Sequence, residues 1–245
     1  MIKLPRTKKT YLTLFAISHL LFFTYCYFFG IWYLMISFLI GLTVFNLSAE
    51  LFMHRTIAHQ QFKFSKRINE IFCILFSMCN FGSVAANSAI HIKHHKCVDT
   101  DKDPHNFRYV GVLNTILKNW NKEHIPSPKP MLKFMRDDVL KKQHYNHMQY
   151  SFISTILFPF IPVVSFWAIN LLFIISHLGN NNSHSAINIR LLFPLMWGAE
   201  MHKDHHNFPT KKKMHEYDIL YYFGNVLEII SSNHNNLQTL KKNFL

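Results

Sequence analysis

Apolar residues along this chain fall in long blocks rather than in the short alternations of a soluble sheet or the stripes of a surface helix. Four blocks are candidates for crossing a membrane: about 11–29 (YLTLFAISHLLFFTYCYFF), about 31–50, about 149–164 (QYSFISTILFPFIPVV) and about 165–179. A helix needs roughly 20 residues to cross the hydrocarbon core. Only Gly30 and its neighbours separate the first two blocks, as a turn. The last two are short and predict a tight hairpin at FPFIP, because Pro159 and Pro162 each remove a helix hydrogen bond. One long tilted helix is the competing reading of 149–179.

Residues 71–87 (IFCILFSMCNFGSVAAN) are also apolar, but Asn80, Gly82 and Ser83 interrupt them. If this stretch crossed, the histidines on its two sides would lie on opposite faces of the membrane and could not build one site. It is therefore read as an amphipathic or buried helix on the cytoplasmic side. Charge supports the layout. Lys3, Arg6, Lys8 and Lys9 precede the first block, the connection at Gly30 carries no Lys or Arg, and 51–147 and 183–245 are rich in both. The positive-inside rule then places both termini and both polar regions in the cytoplasm. The expectation is one all-α membrane domain over 1–245, with four transmembrane helices and a cytosolic helical cap formed by about 51–147 and 183–245.

Composition agrees. Hydrophobic residues make up 49% and aromatics 16%, with 24 Phe. The net charge of +13 suits a cytoplasmic face against anionic lipid. No nucleic-acid motif accompanies it, and the basic residues flank apolar blocks, so nucleic acid is not an expected partner. The four cysteines form no CxxC pair, which excludes a zinc ribbon, a thioredoxin motif and an iron–sulfur signature and fits a reducing compartment. The N-terminus has a basic start but no small-residue cleavage site, so it reads as an uncleaved first span.

The histidines change the picture from membrane protein to membrane chemistry. Residues i, i+3 and i+4 share one face of a helix, and His91, His94 and His95 have that spacing, as do His202, His205 and His206. His54 and His59 are about 140° apart on an ideal helix of 3.6 residues per turn, so they either serve two ions or sit where a helix end distorts. His177 closes the fourth block near the same membrane face. His19 reads as a core or interface residue, and His124, His144, His147, His215 and His234 read as surface residues. Nine converging nitrogens exceed what one zinc takes. They suit two metals of higher coordination number, and imidazole is compatible with iron, copper, nickel or zinc. Two irons make best sense of a membrane location, because iron activates dioxygen against inert C–H bonds.

The segments HRTIAH (54–59), HIKHHKCVDTDKDPHN (91–106) and EMHKDHHNFP (200–209) resemble the three histidine boxes of membrane fatty acid desaturases, most closely the acyl-CoA (stearoyl-CoA, delta-9) branch. The resemblance covers about 45–210. It implies a mushroom-shaped helical fold holding a di-iron site ligated by His54, His59, His91, His94, His95, His177, His202, His205 and His206. It implies dioxygen as co-substrate and an acyl chain carried by CoA, acyl carrier protein or lipid. The family's asparagine one helical turn before the histidine matching His177 is Phe173 here, and Asn170, two turns before, is a weak substitute. Trp and Arg common around the family's second box are also absent from NSAIHIKHH. Ligating histidines usually donate their other N–H to an acceptor, and Asp101, Asp103, Glu200 and Asp204 are candidates for that role. His105 matches the motif without being a ligand in the family.

The expected reaction is oxygen-dependent insertion of a cis double bond into a saturated acyl chain, with Arg136, Lys141 and Lys142 as candidate contacts to an anionic headgroup. No haem-attachment motif, nucleotide-binding loop or iron–sulfur motif is present, so electrons come from a separate ferredoxin or cytochrome b5-like carrier. Two alternatives stand: a hydroxylase on the same scaffold, and a metal-transporting or metal-storing membrane protein. Residue usage points to a bacterial inner membrane.

Overall fold

A computed structural model of the chain describes residues 7–98, 100–116, 124–178 and 186–243, with the side chains of 107–108, 175–178 and 234–243 outside the description. Among the described residues the protein is all-helical, the one extended pairing being an isolated bridge between Asn188 and Met201.

The first element, α1 (Lys8–Phe45), opens with a Thr7 cap whose hydroxyl accepts from the Thr10 N–H at 3.2 Å. It is not one rod. Gly30 has φ 71° and ψ −161°, outside the helical region and open to glycine alone without strain. The Phe22 and Tyr33 rings lie 6.3 Å apart, whereas a straight helix would separate these positions by about 16 Å. Contacts to α8 (Phe160–Leu178) give the geometry: Phe15 meets Phe166, Tyr33 meets Phe160, and Gly41 lies against Val164. Sequence order along α8 thus runs against the first arm (8–29) and with the second (31–45), so α1 folds back on itself at Gly30.

The second arm continues into a π-helix, Asn46–Ala58, buried for most of its length. Its winding shows in bonds five residues apart: His59 N–H to the His54 carbonyl at 3.1 Å, and the Thr56 hydroxyl to the Leu51 carbonyl at 2.8 Å. Around it lies the core of Phe45, Leu51, Phe52, Phe72, Phe76 and Leu220, with the Phe52 and Phe72 rings stacked at 5.4 Å.

The ambiguous 71–87 stretch is split. It supplies the end of α2 (Lys66–Met78), a turn through Asn80 and Gly82 at positive φ, and the start of α3 (Val84–Cys97). Buried Gln143 holds the turn, donating to the Gly82 carbonyl and the Ser77 hydroxyl and accepting from the Val84 N–H, each at 3.0 Å. After three short helices, α4 (Phe107–Val110), α5 (Val112–Ile116) and α6 (Pro128–Phe134), the chain enters α7 (Asp138–Leu157), capped by the Asp137 carboxylate.

The chain breaks within FPFIP, at Phe158–Pro159 rather than between 164 and 165, but α7 and Phe160–Ile174 are bent by 108°, short of the tight antiparallel hairpin expected. Pro162 falls in the first turn of α8, where a missing N–H costs nothing. Helix α7 also begins eleven residues before the apolar block at 149, because helix hydrogen bonds continue through polar sequence. By length and apolarity, one helical run among the described residues, Lys8–Ala58, is able to cross a membrane, and the bent α7–α8 pair passes jointly. The four separate spans expected from the apolar blocks are not each met by such a helix. Beyond α8 come α9 (Phe193–Met196), α10 (His202–Asn207) and α11 (Ile219–Asn243).

Candidate metal centre

The histidines arrive from three elements. The π-helix brings His54 and His59, α3 brings His91, His94 and His95, and α10 brings His202, His205 and His206. Where hydrogen bonds run i to i+5 the helix turns less per residue, so residues five apart come much nearer to one face, and the His54 and His59 ring centroids lie 5.0 Å apart. The wide winding therefore narrows the 140° offset of an ordinary helix, and His54 and His59 reach the same group.

The rings form two groups. His54, His59, His91, His95 and His205 have ligand atoms all within 4.8 Å of one another, and so do His94, His202 and His206. In the first group the Nε2 atoms run in a chain: His54 to His205 at 2.8 Å, His205 to His95 at 3.0 Å, His95 to His91 at 3.0 Å, and His91 to His59 at 2.8 Å. In the second, His206 Nε2 lies 2.8 Å from His202 Nε2 and 3.1 Å from His94 Nε2. The two triplets expected at i, i+3, i+4 are each divided between the groups.

Carboxylates fix the rings from behind. His54 Nδ1–H donates to Glu50 Oε2 at 2.8 Å, and His94 Nδ1–H to Asp103 Oδ1 at 2.7 Å. Burial raises the Glu50 pKa to about 7; an ionised carboxylate accepts only, and a neutral ring that donates Nδ1–H to it presents a lone pair at Nε2. Burial, aided by neighbouring imidazoles, disfavours protonation throughout the first group, and His54 lies well below the ordinary value. The pKa of His59 is lowered to about 3 and that of His95 to about 4, chiefly by desolvation, and His91 and His205 lie well below the ordinary value for the same reason. A neutral imidazole nitrogen donates one hydrogen or none. The four contacts of the five-membered chain cannot all be hydrogen bonds, and a central cation satisfies every lone pair at once. The donor set thus fits a metal that takes imidazole.

Of the other expected residues, Asp103 is where it was looked for, buried on His94. Glu200 is buried but serves elsewhere, accepting from the Gly198 N–H at 2.7 Å and from His215 Nε2 at 2.8 Å. Asp204 is half-buried, its N–H donating to Asn188 Oδ1. Asp101 is exposed and offers its backbone carbonyl to His124. Asn170 is buried, and its amide donates to the Phe166 carbonyl of its own helix at 2.8 Å. Phe173 stacks on His105 at 4.8 Å and reaches to 6.3 Å from His202. The side chain of His177 lies outside the described residues. His147 and His124 are buried rather than on the surface, with His147 Nε2 2.6 Å from the Tyr11 hydroxyl.

Glu50 was missed, although its place four residues before His54 is the signal that finds it. So was a buried ion pair beside the site, Arg55 with Asp218, at 2.9 Å. A cavity of about 50 Å³ opens on both groups, walled by Met53, Leu172 and Phe173 and by the imidazoles of His91, His202 and His205.

Fold and site together define an all-helical protein with paired histidine clusters able to hold metal beside an apolar crevice. The fatty acid desaturase family model matches residues 29–230. The chain therefore belongs to the fatty acid desaturase family, a family of membrane-associated oxidoreductases acting on fatty acyl chains. No curated protein matches it.

Proposed function

We propose that this protein is an oxygen-dependent di-iron acyl desaturase of the acyl-CoA (delta-9) type. The carrying observation is the pair of histidine groups, five and three, meeting at one apolar crevice. Two irons are held by His54, His59, His91, His95 and His205 on one side and by His94, His202 and His206 on the other, with His177 at the end of α8 as ninth ligand. Bound iron supplies activation of dioxygen against C–H bonds.

The chain supplies the rest. Glu50 and Asp103 hold the Nδ1 protons of His54 and His94 and so keep Nε2 turned inward. Met53, Leu172 and Phe173 exclude water and seat two adjacent methylenes against the histidines, a positioning role. An acyl thioester headgroup meets Arg136, Lys141 and Lys142. Overall, the saturated chain, dioxygen, two electrons and two protons give the cis alkene and two waters. The electrons come from a separate ferredoxin or cytochrome b5-like protein. The proposed layout is four spans, with both termini and the histidines on the cytoplasmic side of a bacterial inner membrane; the fold-back at Gly30 and the bend between α7 and α8 fit spans in two pairs.

The test is fatty acid analysis by mass spectrometry, with double bonds located, in a host expressing the chain or its His95→Ala variant at equal level. A new unsaturated acid that disappears in the variant is expected. A His95-dependent hydroxy acid would replace desaturation by hydroxylation. No product, with metal content that follows supply instead of two irons per chain, would put a metal carrier in its place.

A further inference from the structure

The C-terminal helix carries more apolar surface than its packing uses. At about 100° per residue, α11 divides into three faces. Leu220, Gly224, Leu227 and Ser231 turn inward: Leu220 is fully buried, and Gly224 lies so close to the Phe62 ring that a Cβ there would meet it at 2.6 Å. Tyr221, Asn225, Glu228 and Ser232 form a polar face, where Glu228 takes the Lys212 ammonium at 2.7 Å and the Lys63 N–H at 2.8 Å. The third face is Ile219, Tyr222, Phe223, Val226, Ile229 and Ile230, all exposed, between 37% and 61%. It is a continuous apolar stripe about 16 Å long within an arc of about 120°. A helix apolar on two faces needs an apolar partner on both, and among the described residues the core covers only one.

The chemistry at the start of the stripe indicates which partner. Lys211, Lys212 and Lys213 immediately precede the helix, and Glu216 is the only acid in 211–217, leaving a local charge of +2 (three Lys, one Glu). Lys213 Nζ lies 5.3 Å from the Tyr222 ring centroid, at the edge of the stripe, and Tyr217 beside it is 67% exposed. Tyrosines with an apolar body and polar tip, and lysines with an apolar stem and charged head, belong where hydrocarbon meets headgroups. Basic residues bordering an apolar face fit an anionic lipid surface. We infer that this face of α11 lies in the headgroup–acyl boundary of an anionic membrane leaflet, with Lys211 and Lys213 reaching lipid phosphates. The inference goes beyond the proposed reaction and rests on exposure and charge.

The experiment places one nitroxide at Val226→Cys, in a Cys26→Ser, Cys97→Ser background, in the full chain reconstituted into bilayer discs with and without phosphatidylglycerol. A label at Ser232→Cys, on the polar face, is the control. Collision with dioxygen reports lipid, and collision with a water-soluble nickel chelate reports solvent. The oxygen-to-nickel ratio at 226 should exceed that at 232 several-fold. Phosphatidylglycerol should raise it further, and Lys211→Gln with Lys213→Gln should remove that increment. A nickel-accessible 226, spin–spin broadening from a second copy, burial from both reagents, or indifference to phosphatidylglycerol would each overturn the inference. Product and iron analysis of the same variants in the expressing host keeps the two readings apart: lipid contact with neither product nor two irons per chain would sink the reaction and leave the lipid seat standing.

Discussion

The buried ion pair between Arg55 and Asp218 joins the first histidine segment to the region after the third, and its loss should cost more than any cap or surface contact. Asp218 is fully buried and Arg55 nearly so. The carboxylate accepts from Arg55 Nη1 at both oxygens, 2.9 and 3.0 Å, from the Met214 N–H at 2.9 Å, and from the Tyr221 N–H at 3.0 Å. The last bond also caps α11. Asp218→Ala leaves a guanidinium buried without its counter-charge, worth about 3–5 kcal/mol, with about 1 kcal/mol more for the cap. For a chain of this size the first figure alone lowers the unfolding temperature by about 6–20 °C. Replacing both partners by apolar residues, Arg55→Met with Asp218→Leu, removes the stranded charge and should recover most of the loss, because a buried pair is seldom worth more than the packing that replaces it. Thermal unfolding of the detergent-solubilised protein, followed by tryptophan fluorescence, reads both variants. A drop below about 2 °C for Asp218→Ala, or a double variant as damaged as the sum of its singles, would refute the account.

Three further outcomes follow from the same geometry. Gly198→Ala should unfold or misassemble the site, since a Cβ there, at φ 121°, would run into Asp218 Oδ1 and come within 2.8 Å of Arg55 Nη2; soluble yield and metal content check it, and a wild-type profile would contradict the packing. Glu50→Ala or Asp103→Ala should weaken metal binding about 10–100-fold by freeing the ring of His54 or His94, measured by chelator competition. In metal-stripped protein, the folded state holds His59 and His95 neutral to about pH 3 and 4, while the unfolded chain binds protons near the ordinary 6.5. Their contribution to stability is therefore complete above pH 6.5 and is lost progressively as pH falls toward 3; denaturant midpoints that stay flat over that window would show the imidazoles are not desolvated.

Much of this protein is written locally in its sequence. Imidazoles at i, i+3 and i+4 need only a helix to share a face, so His91, His94, His95, His202, His205 and His206 marked a candidate metal site without coordinates. Blocks of apolar residues announced the helices, and Gly30 and the FPFIP stretch announced the two breaks. Apolarity records contact with lipid or core, however, and not where a helix ends, which is why α7 starts at Asp138 and breaks at Phe158.

What the tertiary structure decided is the division of labour among the histidines. One triplet face need not serve one ion: the crossing of α3, α10 and the π-helix sends His91, His95 and His205 to one group and His94, His202 and His206 to the other. The π winding that aligns His54 with His59 is likewise not a local preference. It is held where the helix is packed on several sides, between Phe72, Phe76 and the Asp218 ion pair. Arg55, Asp218 and His215 read as ordinary polar residues in the sequence, because a partner 163 residues away, or 15 away across a loop, leaves no periodic trace; only packing brings those charges out of water, and once there they must be paired.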